Sequence, residues 1–424
     1  MTSPKKFDIV VYGATGFTGQ LVAEYLATHY KDDKELKWAM AGRSLDKLKS
    51  VRDAIGAPTD TPLIVADASD PASLKAMVEQ TKSVITTVGP YQWYGEDLLA
   101  ACVTNGVDYF DLCGEPVWMR QMIDKHEAAA KASGARIVFS CGFDSVPFEL
   151  GAFFVQEEAR RVFGAPASRV KGRVRDMRGT LSGGTAASAK ATFDAVAKDL
   201  SLVAILNDHF ALTPGFAGPK QPKGNRAAYE EDLQSWTAPF MMALINTRNV
   251  HRSNMLMGFP YGKEFIYDEM VLTGPGEKGE ANAKKVVAAN AEKTGPGAPK
   301  PGEGPSKEER ENGRYDLVFV QNDHAVATVK GEVLIDDAGD PPAGVPLIGT
   351  QYLRSSADPV GTEAERHFSK TGLAQYEEEN REWKGALRLY KTAGDKPAVI
   401  IFSERQAGEH WTRIVFNLIL LPSN

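Results

Sequence analysis

The stretch that most constrains this chain is residues 7–19, FDIVVYGATGFTG. An apolar run over residues 9–12 stops abruptly at Gly13-Ala14-Thr15-Gly16-Phe17-Thr18-Gly19. Residues 20–28 follow with Leu21, Val22, Tyr25 and Leu26 at helical spacing. A buried strand, a glycine turn and a helix, in that order, are the parts of a dinucleotide-binding βα unit. One glycine lets the chain turn tightly, one lets backbone N–H groups approach a pyrophosphate, and one lets helix and strand pack closely. The helix N-terminus then offers unpaired donors and a positive dipole end to the phosphates. The spacing is GxxGxxG, looser than GxGxxG, so glycines that only make a turn are the competing reading. The order of the three elements decides against it. Gly13, Thr15, Gly16, Phe17, Thr18 and Gly19 are therefore the expected cofactor loop.

Residues 36–41 read as the second strand, followed by Gly42-Arg43-Ser44. NAD enzymes place an acid near the end of this strand for the ribose 2′-hydroxyl, whereas NADP enzymes offer a cation for the 2′-phosphate. Here no acid stands at that point. Arg43 is present, with Ser44 able to hydrogen-bond and Lys47 one turn on, which favours NADP over NAD. Residues 63–66 form a third strand ending at Asp67, a position expected beside the adenine. Residues 71–80 read as a helix, and residues 83–88 as a fourth strand.

That strand closes in Gly89-Pro90-Tyr91-Gln92-Trp93-Tyr94-Gly95-Glu96. Ligands of open α/β sheets bind outside the carboxyl ends of the strands, so Gly89 and Pro90 should reach the nicotinamide side. Tyr94 is the expected hydrogen-bond donor to substrate, Tyr91 its reserve, and Glu96 a carboxylate that could orient the phenol. Packing of Trp93 and Tyr94 against a second domain, and Glu96 as a helix cap, are the plainer alternatives. A helix over residues 97–105, a strand over 109–112, a helix over 117–133 and a strand over 136–140 complete the pattern. Asp111, Glu115, Asp144 and Ser145 end on the same sheet edge and should converge there, for acid–base work or as helix caps. A short-chain dehydrogenase is excluded, since the only Tyr-x-x-x-Lys spacing is Tyr30 with Lys34, at the wrong edge.

With 424 residues, two domains are expected, each able to bury a core. A net charge of −6 without a basic run argues against nucleic acid as partner. Cys102, Cys113 and Cys141 show neither CxxC nor zinc spacing, and the scattered histidines, His209 and His251 among them, offer no ligand pattern. No metal is expected. The start MTSPKK runs directly into the first strand, leaving no room for a signal peptide, and no apolar run reaches the length of a membrane span. The expected location is cytoplasmic, with contact to a membrane or lipid surface left open, as is a homodimer.

Beyond residue 148, residues 170–177 alternate as a strand with one exposed face, and a glycine-rich turn at 179–184 precedes a helix over 185–199. Arg173, Arg175 and Arg178 form the dense arginine cluster, with Arg173 and Arg175 on one face by alternation. Residues 236–272 are rich in Phe, Met, Tyr and Trp, which suits core, a dimer interface, or an apolar substrate groove. Residues 274–313 read as a surface excursion with a short Ala/Lys helix, and residues 315–320 and 325–333 as a hairpin.

GATGFTG, AGRS (residues 41–44), GPYQWYGE, DLCGE and GFDSVP, with the later SGGTAAS (182–188), APFMMALINTRNVHRSN (238–254) and GEGPSKEEREN (302–312), resemble the saccharopine dehydrogenase-like oxidoreductases. Within that group the chain is most similar to the trans-acting enoyl reductases. The resemblance spans roughly residues 7–333 and implies NADP-linked reduction, but supplies no proton donor to carry over. The tail departs from the family: Gly339-Asp340-Pro341 runs into Pro342, and the usual glycine-rich and alanine-rich segments are missing. A charged helix over 375–384 and an apolar end over 414–421 are its readable features.

The expected fold is α/β: a doubly wound Rossmann sheet over residues 1–147, an α+β domain for substrate or dimerisation over 148–335, and an unassigned tail over 336–424. The expected function is NADP-dependent reduction of an apolar, lipid-linked substrate. Two other readings stand beside it. One is reductive C–N bond formation, which needs an arginine-rich pocket for carboxylates. The other is a cofactor-binding scaffold at lipid surfaces without turnover.

Overall fold

The computed structural model describes residues 4–292, 299–300, 302–321, 324–332, 351–354, 386–391, 397–403 and 411–417. The N-terminal unit runs β1 (Phe7–Tyr12), α1 (Phe17–His29), β2 (Trp38–Gly42), α2 (Leu45–Ala54), β3 (Leu63–Val65) and α3 (Pro71–Val78). It continues through β4 (Thr81–Thr86), α4 (Tyr91–Tyr94), α5 (Glu96–Asn105), β5 (Asp108–Phe110), α6 (Pro116–Ser133) and β6 (Ile137–Val138). The six strands pair in the order β3-β2-β1-β4-β5-β6, parallel throughout. This is the dinucleotide-binding order, and its reversal between β1 and β4 opens the cleft outside their carboxyl ends.

Local chemistry sets the element boundaries. Ser44 starts α2 by accepting from Lys47 N, and Asp70 starts α3 by accepting from Ala72 N and Ser73 N ahead of Pro71. Val10, Val11, Ala39, Met40, Val84 and Tyr109 are buried. Strands covered on both faces by crossover helices become near-continuous apolar runs for this reason.

A long helix that the sequence reading missed, α7 (Val146–Phe163), leads into the second sheet. Then come β7 (Arg169–Arg178), α8 (Gly183–Lys198), α9 (Leu202–Asn207), β8 (Ala228–Glu230), β9 (Ser235–Pro239) and α10 (Ala243–Leu256). β10 (Ile266–Gly274), α11 (Gly276–Glu292), α12 (Lys307–Glu311), β11 (Arg314–Gln321) and β12 (His324–Glu332) complete it. The strand order is β12-β11-β7-β10-β9-β8, with β7 and β10 parallel and the remaining pairs antiparallel. β11 and β12 form the hairpin expected from their alternation.

One expectation is corrected here. β7 lies in the middle of the sheet and not at an exposed face: Val170 through Val174 are all buried. The aromatic stretch over 236–272, which suited core, a dimer interface or a substrate groove, is mainly core: Val250, Tyr261, Phe265 and Tyr267 are buried against α7 and the sheet, and Ile245 joins the core of the nucleotide domain. Aromatic rings are large enough to fill the gap between a helix pair and a sheet, so a dense run of them favours burial.

In the tail, β13 (Gln351–Arg354), β14 (Ala386–Lys391), β15 (Pro397–Ser403) and β16 (Trp411–Asn417) pair antiparallel in the order β13-β16-β15-β14. The expected helix over 375–384 and the Gly339–Pro342 segment lie outside the described residues. Among the described residues, no helix is long and apolar enough to cross a membrane.

Candidate cofactor and active site

The glycine loop is built by contacts at van der Waals limits. Gly13 sits at φ +88°, a conformation that favours glycine. A Cβ on Gly19 would lie 2.1 Å from the Gly13 carbonyl oxygen, so the first turn of α1 rests directly on the loop. Gly16 N donates back to Gly13 O at 2.9 Å, while Gly13 N and Ala14 N donate to Ala41 O at 3.0 and 3.1 Å. No side chain caps α1, whose first-turn donors therefore remain available to an anion. Thr15, Gly16, Phe17 and Thr18 are half-buried at this rim. The cradle fits the diphosphate of a dinucleotide.

At the end of β2, Arg43 is exposed and has no hydrogen bond or ion pair among the described residues. A solvated guanidinium beside the loop fits a ribose 2′-phosphate. The Ser44 hydroxyl accepts from Lys47 N. Asp67 follows β3 and accepts from Ser69 N and Ser69 Oγ at 2.9 and 2.8 Å. These bonds, and more weakly the charge on Arg43, hold its carboxyl below the ordinary range.

The loop after β4 turns through a cis Gly89-Pro90 bond into α4. The buried Glu115 carboxylate fixes that helix, accepting from Tyr91 N at 2.9 Å and from Gln92 N and Gln92 Nε2 at 3.0 Å. Tyr94 stands at the far end of α4, 44% exposed, with its ring edge-on to Trp93, 57% exposed. The reserve donor Tyr91 is turned the other way. Its phenol is buried, donates to Thr86 O at 3.3 Å and accepts from Leu112 N at 3.3 Å, so it anchors the loop and has no open face for substrate. Glu96 is likewise placed elsewhere: its carboxylate pairs with Lys125 on α6, not with the Tyr94 phenol.

Of the acids expected on the neighbouring strand ends, Asp111 and Glu115 are buried as fasteners. Asp111 is buried and accepts from Cys113 N and Ser140 N, both at 2.9 Å, and from the Tyr109 phenol at 3.0 Å. Burial pushes its carboxyl up to about 7 against those bonds. Cys113 and Cys141 are unpaired thiols raised by burial, as small core residues are. Asp144 presents its backbone carbonyl to Asn246 Nδ2 at 3.0 Å, and Ser145 makes no side-chain cap on α7.

The second domain reaches this edge from two sides. Gln92 Nε2 lies 3.4 Å from Thr192 Oγ1 of α8, and a Cβ on Gly89 would meet Ser188 Oγ at 3.4 Å. On the opposite side, Gly183 N donates to Glu303 O at 2.9 Å, and a Cβ on Gly304 would strike the Phe17 ring at 2.5 Å. The segments SGGTAAS and GEGPSKEEREN, remote in sequence, thus meet the glycine loop and the β4 loop. The Ser306/Glu309 capping box that starts α12 was legible in the S-x-x-E spacing, although the sequence reading did not use it.

Two arginines of the cluster are already committed. Arg173, fully buried, bonds Glu230 Oε1 and Asp268 Oδ2, each at 2.7 Å, and Arg175 bonds Asp316 Oδ1 at 2.7 Å. A register shift between Asp316 and Leu317 of β11, opposite this part of β7, breaks the expected alternation and leaves Arg175 exposed. Arg173, neutralised and fully buried in this way, is closed to a substrate carboxylate. Beneath them, Glu269 accepts from the Tyr267 phenol at 2.9 Å and from Asn246 Nδ2 at 3.0 Å, and burial pushes its carboxyl up to about 8. His251 is pushed down to about 3 by burial, and no group of ligating side chains suited to a metal occurs among the described residues.

A parallel sheet of this order, a glycine cradle at its switch point and an exposed arginine at the end of β2 fit an NADP-dependent oxidoreductase. Residues 9–138 match the saccharopine dehydrogenase NADP binding domain. A Mycobacterium tuberculosis protein named as a trans-acting enoyl reductase is 40% identical over 340 residues, covering 74% of this chain and 80% of its own. A trans-acting enoyl reductase of Mycobacterium ulcerans is 35% identical over 339 residues, covering 74% and 80%. This chain belongs to the trans-acting enoyl reductase family of saccharopine dehydrogenase-like proteins. Among solved structures, yeast saccharopine dehydrogenase (L-Glu forming) is 10% identical with a TM-score of 0.40, covering 83% of this chain and 85% of its own. That likeness is remote, and the fold rests on the strand order itself.

Proposed function

We propose that this protein reduces the carbon–carbon double bond of a lipid-linked enoyl substrate carried by a separate synthase, with Tyr94 as the hydrogen-bond donor to the substrate oxygen. NADPH would supply the hydride, which adds to the β-carbon. The electron pair of the double bond then moves toward the carbonyl oxygen, and the charge arriving there needs a donor. A phenol can give that hydrogen bond, and the α-carbon takes its proton from solvent or from the phenol. The observation that carries the reading is the placement of Tyr94. Its phenol is open to solvent on a helix that Glu115 pins at its start, at the strand edge where the cleft lies. Trp93 beside it is 57% exposed and would give an acyl chain an apolar contact.

The test is turnover of an apolar enoyl thioester by Tyr94→Phe. The expected loss is about 10²- to 10⁴-fold, the range for removing a positioned donor, with NADPH affinity unchanged. Full turnover by the variant would refute the role given to Tyr94.

A further inference from the structure

The NADP assignment explains the glycine loop and Arg43, but leaves one cation near that loop without a task. Arg310, on α12 of the second domain, stacks over the Phe17 ring with its guanidinium carbon 5.7 Å from the ring centre. Phe17 is the first residue of α1, so the guanidinium stands beside the helix end that faces the diphosphate. Its Nη1 donates to Pro305 O at 2.8 Å, which fixes the plane of the group. Its Nε is buried and has no hydrogen-bond partner among the described residues. Nor does Arg310 pair with a carboxylate there, although Glu308, Glu309 and Glu311 share its helix. Buried guanidinium donors are ordinarily paired, so an oriented and unpaired one marks a place for an anion.

We propose that Arg310 is a ligand of the dinucleotide diphosphate, supplied by the second domain to complete a site that the Rossmann domain only half encloses. The position selects the diphosphate over the 2′-phosphate, because Phe17 begins α1 whereas the 2′-phosphate is assigned to Arg43 at the end of β2. Gly304 supports the arrangement, since the segment leading to α12 lies so close to the Phe17 ring that a side chain there would collide with it. Bound cofactor would then tie the two domains together through one charge-assisted contact. This inference rests on the NADP assignment.

The test is direct titration of the full chain with NADPH and NADH, comparing unmodified protein with Arg310→Met and Arg310→Lys. Both nucleotides carry the diphosphate, so Arg310→Met should weaken both by about 10- to 100-fold, as for a charged hydrogen bond removed. Arg310→Lys should recover most of the loss, with the melting temperature of ligand-free protein the same in all three. Unchanged affinity for both nucleotides overturns the proposal, and so does a loss confined to NADPH, which would place the guanidinium on the 2′-phosphate. A ligand-free melting temperature lowered in Arg310→Met and not restored by Arg310→Lys, with affinity moving in step, reduces Arg310 to a packing role. Unmodified protein that binds neither nucleotide would overturn the NADP assignment, and this proposal with it.

Discussion

Replacing Gly19 by alanine tests the cofactor site at its tightest point. The added methyl would lie 2.1 Å from Gly13 O and 2.7 Å from Gly13 C, while Thr87 Oγ1 is 2.8 Å away on the other side. Carbon and oxygen settle at separations above 3 Å, so α1 must retreat from the loop by roughly 1 Å. The strain of forcing a methyl into a filled space is about 1–3 kcal/mol, expected as lost stability in urea denaturation. The larger effect is expected on function, because the displaced N–H groups of α1 are those proposed to meet the diphosphate. Losing one or two such charge-assisted bonds costs about 1.5–3 kcal/mol each, or upwards of tenfold in Kd. The assay is quenching or enhancement of NADPH fluorescence on titration with folded Gly19→Ala. A variant that binds NADPH within twofold of the unmodified protein would refute the close-packed reading of the loop.

Arg43→Asp should weaken NADPH by about 2–3 kcal/mol and leave NADH less affected, because among the described residues Arg43 makes no hydrogen bond or ion pair whose loss would disturb the fold; equal loss for both nucleotides in calorimetry, or tighter binding of NADH by the unmodified protein, would refute it. Glu269→Gln should flatten the pH dependence of stability. Burial raises the Glu269 carboxyl from 4.5 to about 8, so between these values the unfolded chain gives up a proton that the folded chain keeps. Stability therefore falls as pH rises through that window, by at most about 1.4 kcal/mol per pH unit. Glutamine removes that slope, and an identical slope in denaturation curves at about pH 5 and pH 8 would show that Glu269 does not titrate there.

Much of the nucleotide domain was legible because its signals are local. The apolar run, the glycines and the helical spacing after them lie within residues 7–28, and each strand of the first sheet ends near where its pattern breaks. The second domain was harder to read for an equally physical reason. Arg173 looks like a surface cation in a strand until Glu230 and Asp268, remote in sequence, are brought to its donors. The aromatic stretch has the composition of a lipid-binding face, yet burial against α7 and the second sheet makes it core.

The loop after β4 shows the same division within eight residues. By itself the sequence determined that two tyrosines and a carboxylate would follow β4 at the cleft edge, since strand polarity and the glycine-proline turn are local properties of the chain. Only the tertiary structure decided among them. Glu115, arriving from the loop after β5, binds the amides of α4 and turns Tyr91 into the core, while Lys125 of α6 draws off Glu96 and leaves Tyr94 facing solvent. Arg310 extends the point across the domains, because its nearness to Phe17 depends on α12 packing over a loop almost three hundred positions earlier in the chain. Local spacing encodes which groups a loop contains; which of them is free to act depends on buried partners supplied by distant segments.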